Sequence, residues 1–290
     1  MAHPNRQGPL IFVRLDGLRR LDARPSLRDY TKQIWSRRAF VIADSKAKAF
    51  DDTRDLRLGR FWLILRPALF AIMYGTLFGL LLKTSRGIEN FPGFVLIGMT
   101  YFQFINQLFI GGTGILKFSR NLISSFKFPR ATLVMSHSIK KFIDAIPAAI
   151  MSVVIALLFQ WNKPVHWTLV IVPIVFVLAH LFGTGLMFIV ARQSAFLEDV
   201  KEIFKFLTMP LMFVSGILFS IDRYATNPTV HAILYNNPFH LFVEAVRNAA
   251  LYGGLPTSRE WLTMCAWAFI TLAVGYVYFW QAEERYVSAQ

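Results

Sequence analysis

The sequence predicts an all-α polytopic membrane protein: six transmembrane helices, an N-terminal amphipathic interface helix, and re-entrant helices between spans five and six. Three observations predict it. Apolar stretches of spanning length recur behind a basic head, the cations are sorted between alternate connections, and the last long connection is itself apolar. A spanning helix needs about 20 mostly apolar residues. The stretches are 61–82, 91–116, 142–160, 167–191, 203–221 and 261–280, each bounded by charges, Pro or Gly. A helix on the surface of a soluble domain shows one apolar stripe, not an apolar circumference. Residues 1–60 are then a cytoplasmic basic tail with the interface helix, 61–280 the transmembrane domain, and 281–290 a cytoplasmic tail.

The chain has 290 residues, 55% of them hydrophobic, with 28 Phe and a formal charge of +14. In a soluble protein that charge would point to nucleic acid. Here it is distributed by loop, which points to a membrane and away from nucleic acid. The connection after span two carries Lys117, Arg120, Lys127, Arg130, Lys140 and Lys141, and the one after span four Arg192, Lys201 and Lys205. The alternate connections are poorer, with Lys83 and Arg86, then Lys163 alone, then Arg223, Arg247 and Arg259 spread over a long stretch. By the positive-inside rule both termini are cytoplasmic, as an even number of spans also requires. The head has no short apolar core before a small-residue cleavage site, so no cleavable signal peptide is expected. Cys265, the only cysteine, lies within a span, which argues against a disulfide framework or a thiol metal site. A plasma or inner membrane fits best.

Ser26 followed by Asp29 opens the interface helix as a capping-box variant. Leu27, Tyr30, Ile34 and Val41 share one face, and Arg28, Lys32, Arg37 and Arg38 lie mostly elsewhere. That pattern suits a helix lying among anionic headgroups. In span one, Arg66 sits one turn in, before Pro67. Its shallow depth favours snorkelling, and the functional alternative is a cation facing a water-filled path. Gly75-x-x-x-Gly79 and Gly183-Thr-Gly185 permit close helix approach. Aromatic faces suit sugar rings, which makes Phe61, Trp62, Tyr74, Phe78 and Tyr101 candidates for lining a glycan path.

The connection 117–141 mixes apolar and basic residues without metal or catalytic spacing. Leu122, Ile123, Phe126 and Phe128 make it too apolar for a solvated connector, so it reads as a docking element. The connection 222–260 holds an apolar run after Asn236-Asn237-Pro238 and a break at Gly253-Gly254. Broken helices at membrane depth survive only where protein buries them or water lines them, so two short re-entrant helices are expected.

Catalytic chemistry finds little support. There is no Walker A sequence and no His-Glu-x-x-His, and the six His are dispersed. His180 reads as a packed or pore-facing polar residue. No carboxylate pair marks an ion relay within the predicted spans: Asp144 stands at a boundary and Glu198-Asp199 in a turn.

Leu58-Gly-Arg-Phe-Trp62 with Arg66-Pro67, Phe91-Pro-x-Phe-x-Leu-x-Gly98, Asn121-Leu-Ile, Phe128-Pro-Arg130, Pro210-Leu-Met-Phe-Val-Ser-Gly216 and Asn237-Pro-x-His-x-x-x-Glu-x-x-Arg247 form a familiar series. Together they resemble the permease subunits of type-2 ABC exporters that move long polysaccharides. With the Glu283-Glu284 tail, the likeness is nearest to capsule-export permeases, with O-antigen and teichoic acid exporters as relatives. One departure is Glu198-Asp199, where many O-antigen and teichoic acid exporters carry Arg-Asp. The resemblance implies a homodimer driven by a separate ABC ATPase, with ATP and Mg on that partner and no cofactor bound by this chain. It implies a coupling helix over 121–130, with Asn121, Leu122, Phe126, Phe128, Pro129 and Arg130 at the ATPase. It implies a gate over 222–254, with Asn237, Pro238, His240 and Glu244. Arg66, Lys83, Arg86 and Arg247 become the cations of a path for a lipid-linked, acidic polysaccharide. Periplasmic and outer-membrane export proteins would follow in a Gram-negative cell. Two further classes compete: a type-2 ABC permease for a drug or small lipid, and a membrane-embedded glycosyl or acyl transferase.

Overall fold

The computed structural model describes residues 25–49, 88–126, 128–197, 199–221 and 227–286, with isolated positions between 61 and 73. Arg66, Tyr74, Gly75, Phe78, Gly79, Lys83 and Arg86 lie outside the described residues, as does most of the first predicted span. Where the chain is described it is helical, without strands.

The interface segment is two helices, α1 (Leu27–Ser36) and α2 (Arg38–Lys48), broken at Arg37. The Ser26 hydroxyl accepts from the Asp29 amide at 3.2 Å, as its position before the first turn requires. Tyr30, Ile34, Val41 and Ser45 point inward, while Trp35 stays 69% exposed. The apolar stripe therefore continues across the break.

Among the described residues, four helices are long and apolar enough to cross a membrane: α3 (Phe91–Gly111), α6 (Ala131–Leu158), α7 (Val172–Phe196, preceded by a 3₁₀ turn from Trp167) and α11 (Ser258–Gln281). Between α3 and α6 stand two short helices, α4 (Ile115–Phe118) and α5 (Arg120–Ser125). Helix α6 starts well before the apolar stretch at 142, and within it Lys140 pairs with Asp144 at 2.9 Å one turn on. The pair lets the helix run through charges that mark a span end in the sequence. Its start is set at Pro129, which cannot donate an amide.

Helix α8 (Val200–Val214) is shorter than the apolar stretch 203–221. It ends at Gly216, whose φ of +64° is a left-handed turn that favours glycine. Beyond it come α9 (Pro228–Tyr235), α10 (Pro238–Arg247) and a π turn at Asn248–Tyr252.

In a bilayer, helices are held together mainly by close packing, since lipid is as apolar as leucine. Helices α7 and α11 achieve this through glycine. A Cβ on Gly185 would lie 2.4 Å from the Thr271 backbone, and one on Gly275 would lie 2.2 Å from the Gly185 carbonyl. Helix α3 is wedged between α6 and α7, where Phe104, Phe142 and Phe176 stack around His180. His180 is thus a packed residue of this cluster.

Candidate functional site

Two constellations stand at opposite ends of the bundle. The basal end gathers α1, α4, α5, the start of α6 and the 3₁₀ turn Glu283–Tyr286; the distal end gathers α9, α10 and the start of α3.

At the basal end, α3 stops in Gly111-Gly-Thr-Gly114, and Gly114 takes a φ of +76°. Helices α4 and α5 follow with mixed faces. Ile115, Leu116 and Ile123 are buried, and Leu122 packs against the core beside them. Phe118 is 83% exposed and Phe126 64% exposed. Phe126 ends α5 in an extended conformation, so its ring leaves the helix surface. Asn121 is exposed too, whereas Pro129 is buried. Phe128 differs from the docking reading: it packs against the core, with the Arg37 guanidinium 6.0 Å from its ring centre. It anchors the segment from inside and does not present a free aromatic.

The return from this segment is held by one carboxylate. Glu283 Oε1 accepts from the Arg130 backbone N–H at 3.0 Å and from Arg130 Nη1 at 3.1 Å. Glu283 Oε2 accepts from the Tyr30 hydroxyl at 2.7 Å, and that hydroxyl accepts from the Ala131 N–H at 3.1 Å. The side chain of Glu283 is 4% exposed, so its charge is stabilised by these donors and by the N-terminus of α6. Burial, then the neighbouring Glu283 charge, pushes the Tyr30 hydroxyl well above its usual pKa, which keeps it a donor. Trp280 Nε1 donates to the Pro25 carbonyl at 3.1 Å and Thr31 meets Tyr276 at 2.9 Å, closing the same joint. Interface helix, exposed aromatic segment and chain end are one unit here. Sequence reasoning quoted Glu283 but gave it no role, and missed Tyr30 as its partner.

At the distal end, Asn237 caps α10 by accepting from the Phe239 N–H at 3.1 Å, with Pro238 at the first helical position. Its Nδ2 donates to Ser215 Oγ at 3.1 Å, and His240 Nδ1 meets the Ser215 carbonyl at 3.2 Å. The turn after α8 is thereby tied to the start of α10. Glu244 reaches Arg247 at 3.3 Å.

Arg247 is corrected by the structure. As a path cation it would need water, yet it is 0% exposed. Its guanidinium donates to the carbonyls of Phe94 (3.0 Å), Gly216 (3.1 Å) and Ile217 (2.9 Å), and lies 3.4 Å from the Phe94 ring centre. Gly98 makes room for it: a Cβ there would lie 2.1 Å from Arg247 Nη2. The Phe91–Gly98 and Asn237–Arg247 motifs therefore meet in space as a lock between α3, α8 and α10. Tyr101 is likewise packed, 2% exposed and edge-on to Phe176 at 6.0 Å, so it lines no open path in this chain. Phe61 is 53% exposed. Among the described residues no group of three or more His, Cys, Asp or Glu converges as metal ligands.

A model of the ABC-2 type transporter family matches residues 49–251. The chain belongs to that family. It is 20% identical over 242 residues to the O-antigen export system permease protein RfbA of Myxococcus xanthus, covering 83% of this chain and 91% of that protein. It is 24% identical over 168 residues to the Klebsiella pneumoniae protein of the same name, covering 57% of this chain and 62% of that protein. The matched region spans the distal lock and the exposed aromatic segment, while Tyr30 and Glu283 lie outside it. As an ABC-2 family member the chain is a membrane transport subunit, not an enzyme by itself.

Proposed function

We propose that this chain is the permease subunit of an ABC exporter that carries a lipid-linked polysaccharide across the inner membrane. A separate ATPase subunit, holding ATP and Mg, supplies the work. The observation that carries this reading is the family match together with a rigidly seated basal segment that holds Phe118 and Phe126 out from the fold. Desolvated aromatic anchors dominate many interfaces. The segment from Asn121 to Arg130 is accordingly the coupling element, with Phe126 its outermost anchor.

In this reading the chain makes six spans and works as a homodimer, both termini are cytoplasmic, and α9 and α10 are the re-entrant gate helices. Arg66, Tyr74, Phe78, Lys83 and Arg86 remain the proposed lining of the path. The names of both relatives favour an O-antigen glycan. An acidic capsular chain is the second reading, favoured by Glu198-Asp199 and by the +14 charge. Periplasmic and outer-membrane partners would carry either polymer onward.

Deleting the gene tests the function. Surface glycan should disappear and its lipid-linked precursor should accumulate inside, both reversed by the intact chain. Normal surface glycan with altered efflux of a small lipophile would contradict it and install the drug or lipid permease.

A further inference from the structure

The distal hairpin between α6 and α7, residues 159–171, turns two different faces to its surroundings. Its inner face holds the segment that follows α10. Thr168 Oγ1 donates to the Ala249 carbonyl at 2.7 Å, and Gln160 Nε2 donates to the Leu251 carbonyl at 3.4 Å. The His166 ring fills the space beside Gly253, where a Cβ would lie 2.6 Å from Nδ1 and where φ is +69°. Asn90, just before α3, braces the hairpin from the other side. Its Nδ2 donates to the Ala156 carbonyl at 2.8 Å and to Gln160 Oε1 at 3.2 Å. A break in a helix near a membrane persists where protein satisfies its carbonyls, and Thr168 and Gln160 do so here.

The outer face is apolar and aromatic. Trp161 is 85% exposed and Trp167 72%, and Phe159, Val165 and Val170 are exposed in the same stretch. The 3₁₀ turn Trp167–Ile171 separates the two faces. With three residues per turn, Trp167 and Val170 eclipse on one side and Thr168 falls on another. An exposed apolar patch marks either a protein partner or a membrane. Here it is continuous with stripes on both spans. Ile150, Val154 and Leu158 stay exposed at four-residue spacing up to the end of α6, and Val170, Ile174 and Val177 begin the matching stripe of α7. The two spans run Ala131–Leu158 and Trp167–Phe196, so the hairpin stands where the lipid tails give way to headgroups. Indole suits that level, because its ring takes apolar contact while its N–H keeps a polar partner. Lys163, the hairpin's cation, is half-exposed and paired with Glu89, which keeps its head in the polar layer.

We propose that residues 159–171 form a bilayer-interface anchor, with Trp161 and Trp167 seated at the headgroup level, and that Gln160, His166 and Thr168 pass that fixed depth to the segment 248–253. The anchor stands on the geometry alone. Its meaning as a support for the outer gate rests on the export reading, in which α9 and α10 are the gate helices.

The full chain is reconstituted in phosphatidylcholine nanodiscs, and its tryptophan fluorescence is quenched by headgroup-nitroxide phosphatidylcholine or by aqueous iodide. Subtracting the signal of the Trp161→Phe/Trp167→Phe variant isolates the two hairpin rings. That difference signal should be largely lost with the nitroxide lipid and largely kept with iodide. Stronger quenching by iodide would put the hairpin in water, and protection from both would put it under protein, such as a second copy; either result overturns the anchor. The melting temperature checks folding, and Trp161→Phe or Trp167→Phe alone carries the same readout should the double variant misfold. Thr168→Val tests the inner face. Amide exchange in residues 248–253 should quicken about five-fold, as for loss of one hydrogen bond, with the quenching unchanged. Unchanged exchange overturns the link to that segment. Lipid-quenched indoles in a chain whose deletion leaves surface glycan normal would overturn the export reading and leave the anchor standing.

Discussion

At the scale of single residues, Arg247 sets the most constrained geometry in the molecule. Its five N–H groups form a planar fork, and here the fork spans three carbonyls from two elements. Lysine cannot reproduce that fork. Arg247→Lys should lower stability by about 2–4 kcal/mol, read as thermal unfolding in detergent. Gly98→Ala should cost a similar amount, because the new methyl would displace the guanidinium. The double variant should cost clearly less than the two losses added, since both remove the same contact. Strict additivity would show that Gly98 and Arg247 do not act together. The sequence showed both motifs but not their meeting, since 149 positions separate Gly98 from Arg247 and no local periodicity encodes such a contact. It also placed Arg247 on a path, because charge alone does not reveal whether a cation is solvated or locked to carbonyls.

At the scale of elements, legibility follows the range of the interaction. The cap at Ser26 and the apolar cores of α3, α7 and α11 were readable, because each is fixed by neighbours within a few residues, while Asn237 was read only as a chain break and proves to cap α10. The break at Arg37 and the early start of α6 were not, because no apolar or charge pattern in the sequence marks either boundary. The basal joint lay furthest from sight, with Tyr30 and Glu283 separated by 253 residues. It joins the exposed aromatic segment to the N-terminal helices through hydrogen bonds from Tyr30 and Arg130 to Glu283. Glu283→Gln keeps the shape but removes the charge and one acceptor. Amide exchange in residues 25–36 and 119–131 should then quicken about ten-fold, the loss of roughly one charged hydrogen bond, while 238–252 stays protected. Unchanged exchange at the basal end would mean that other contacts hold the joint.

At the scale of the whole molecule, two constellations stand at opposite ends of the bundle in this member of the ABC-2 type transporter family. The distal lock joins α3, α8 and α10, and the basal joint joins chain start, aromatic segment and chain end. Helices α3 and α6 run the length between them, so a push on the basal segment has a stiff route to the far end. The account depends on that push coming from an ATPase on the cytoplasmic side. The most direct measurement replaces Phe126 with a photoreactive phenylalanine in the assembled exporter and illuminates intact cells. An adduct with the ATPase subunit is predicted from position 126, and none from position 252, which is exposed at the opposite end. An adduct from 252 and not from 126, or labelling of 126 by an impermeant reagent from outside, would contradict it.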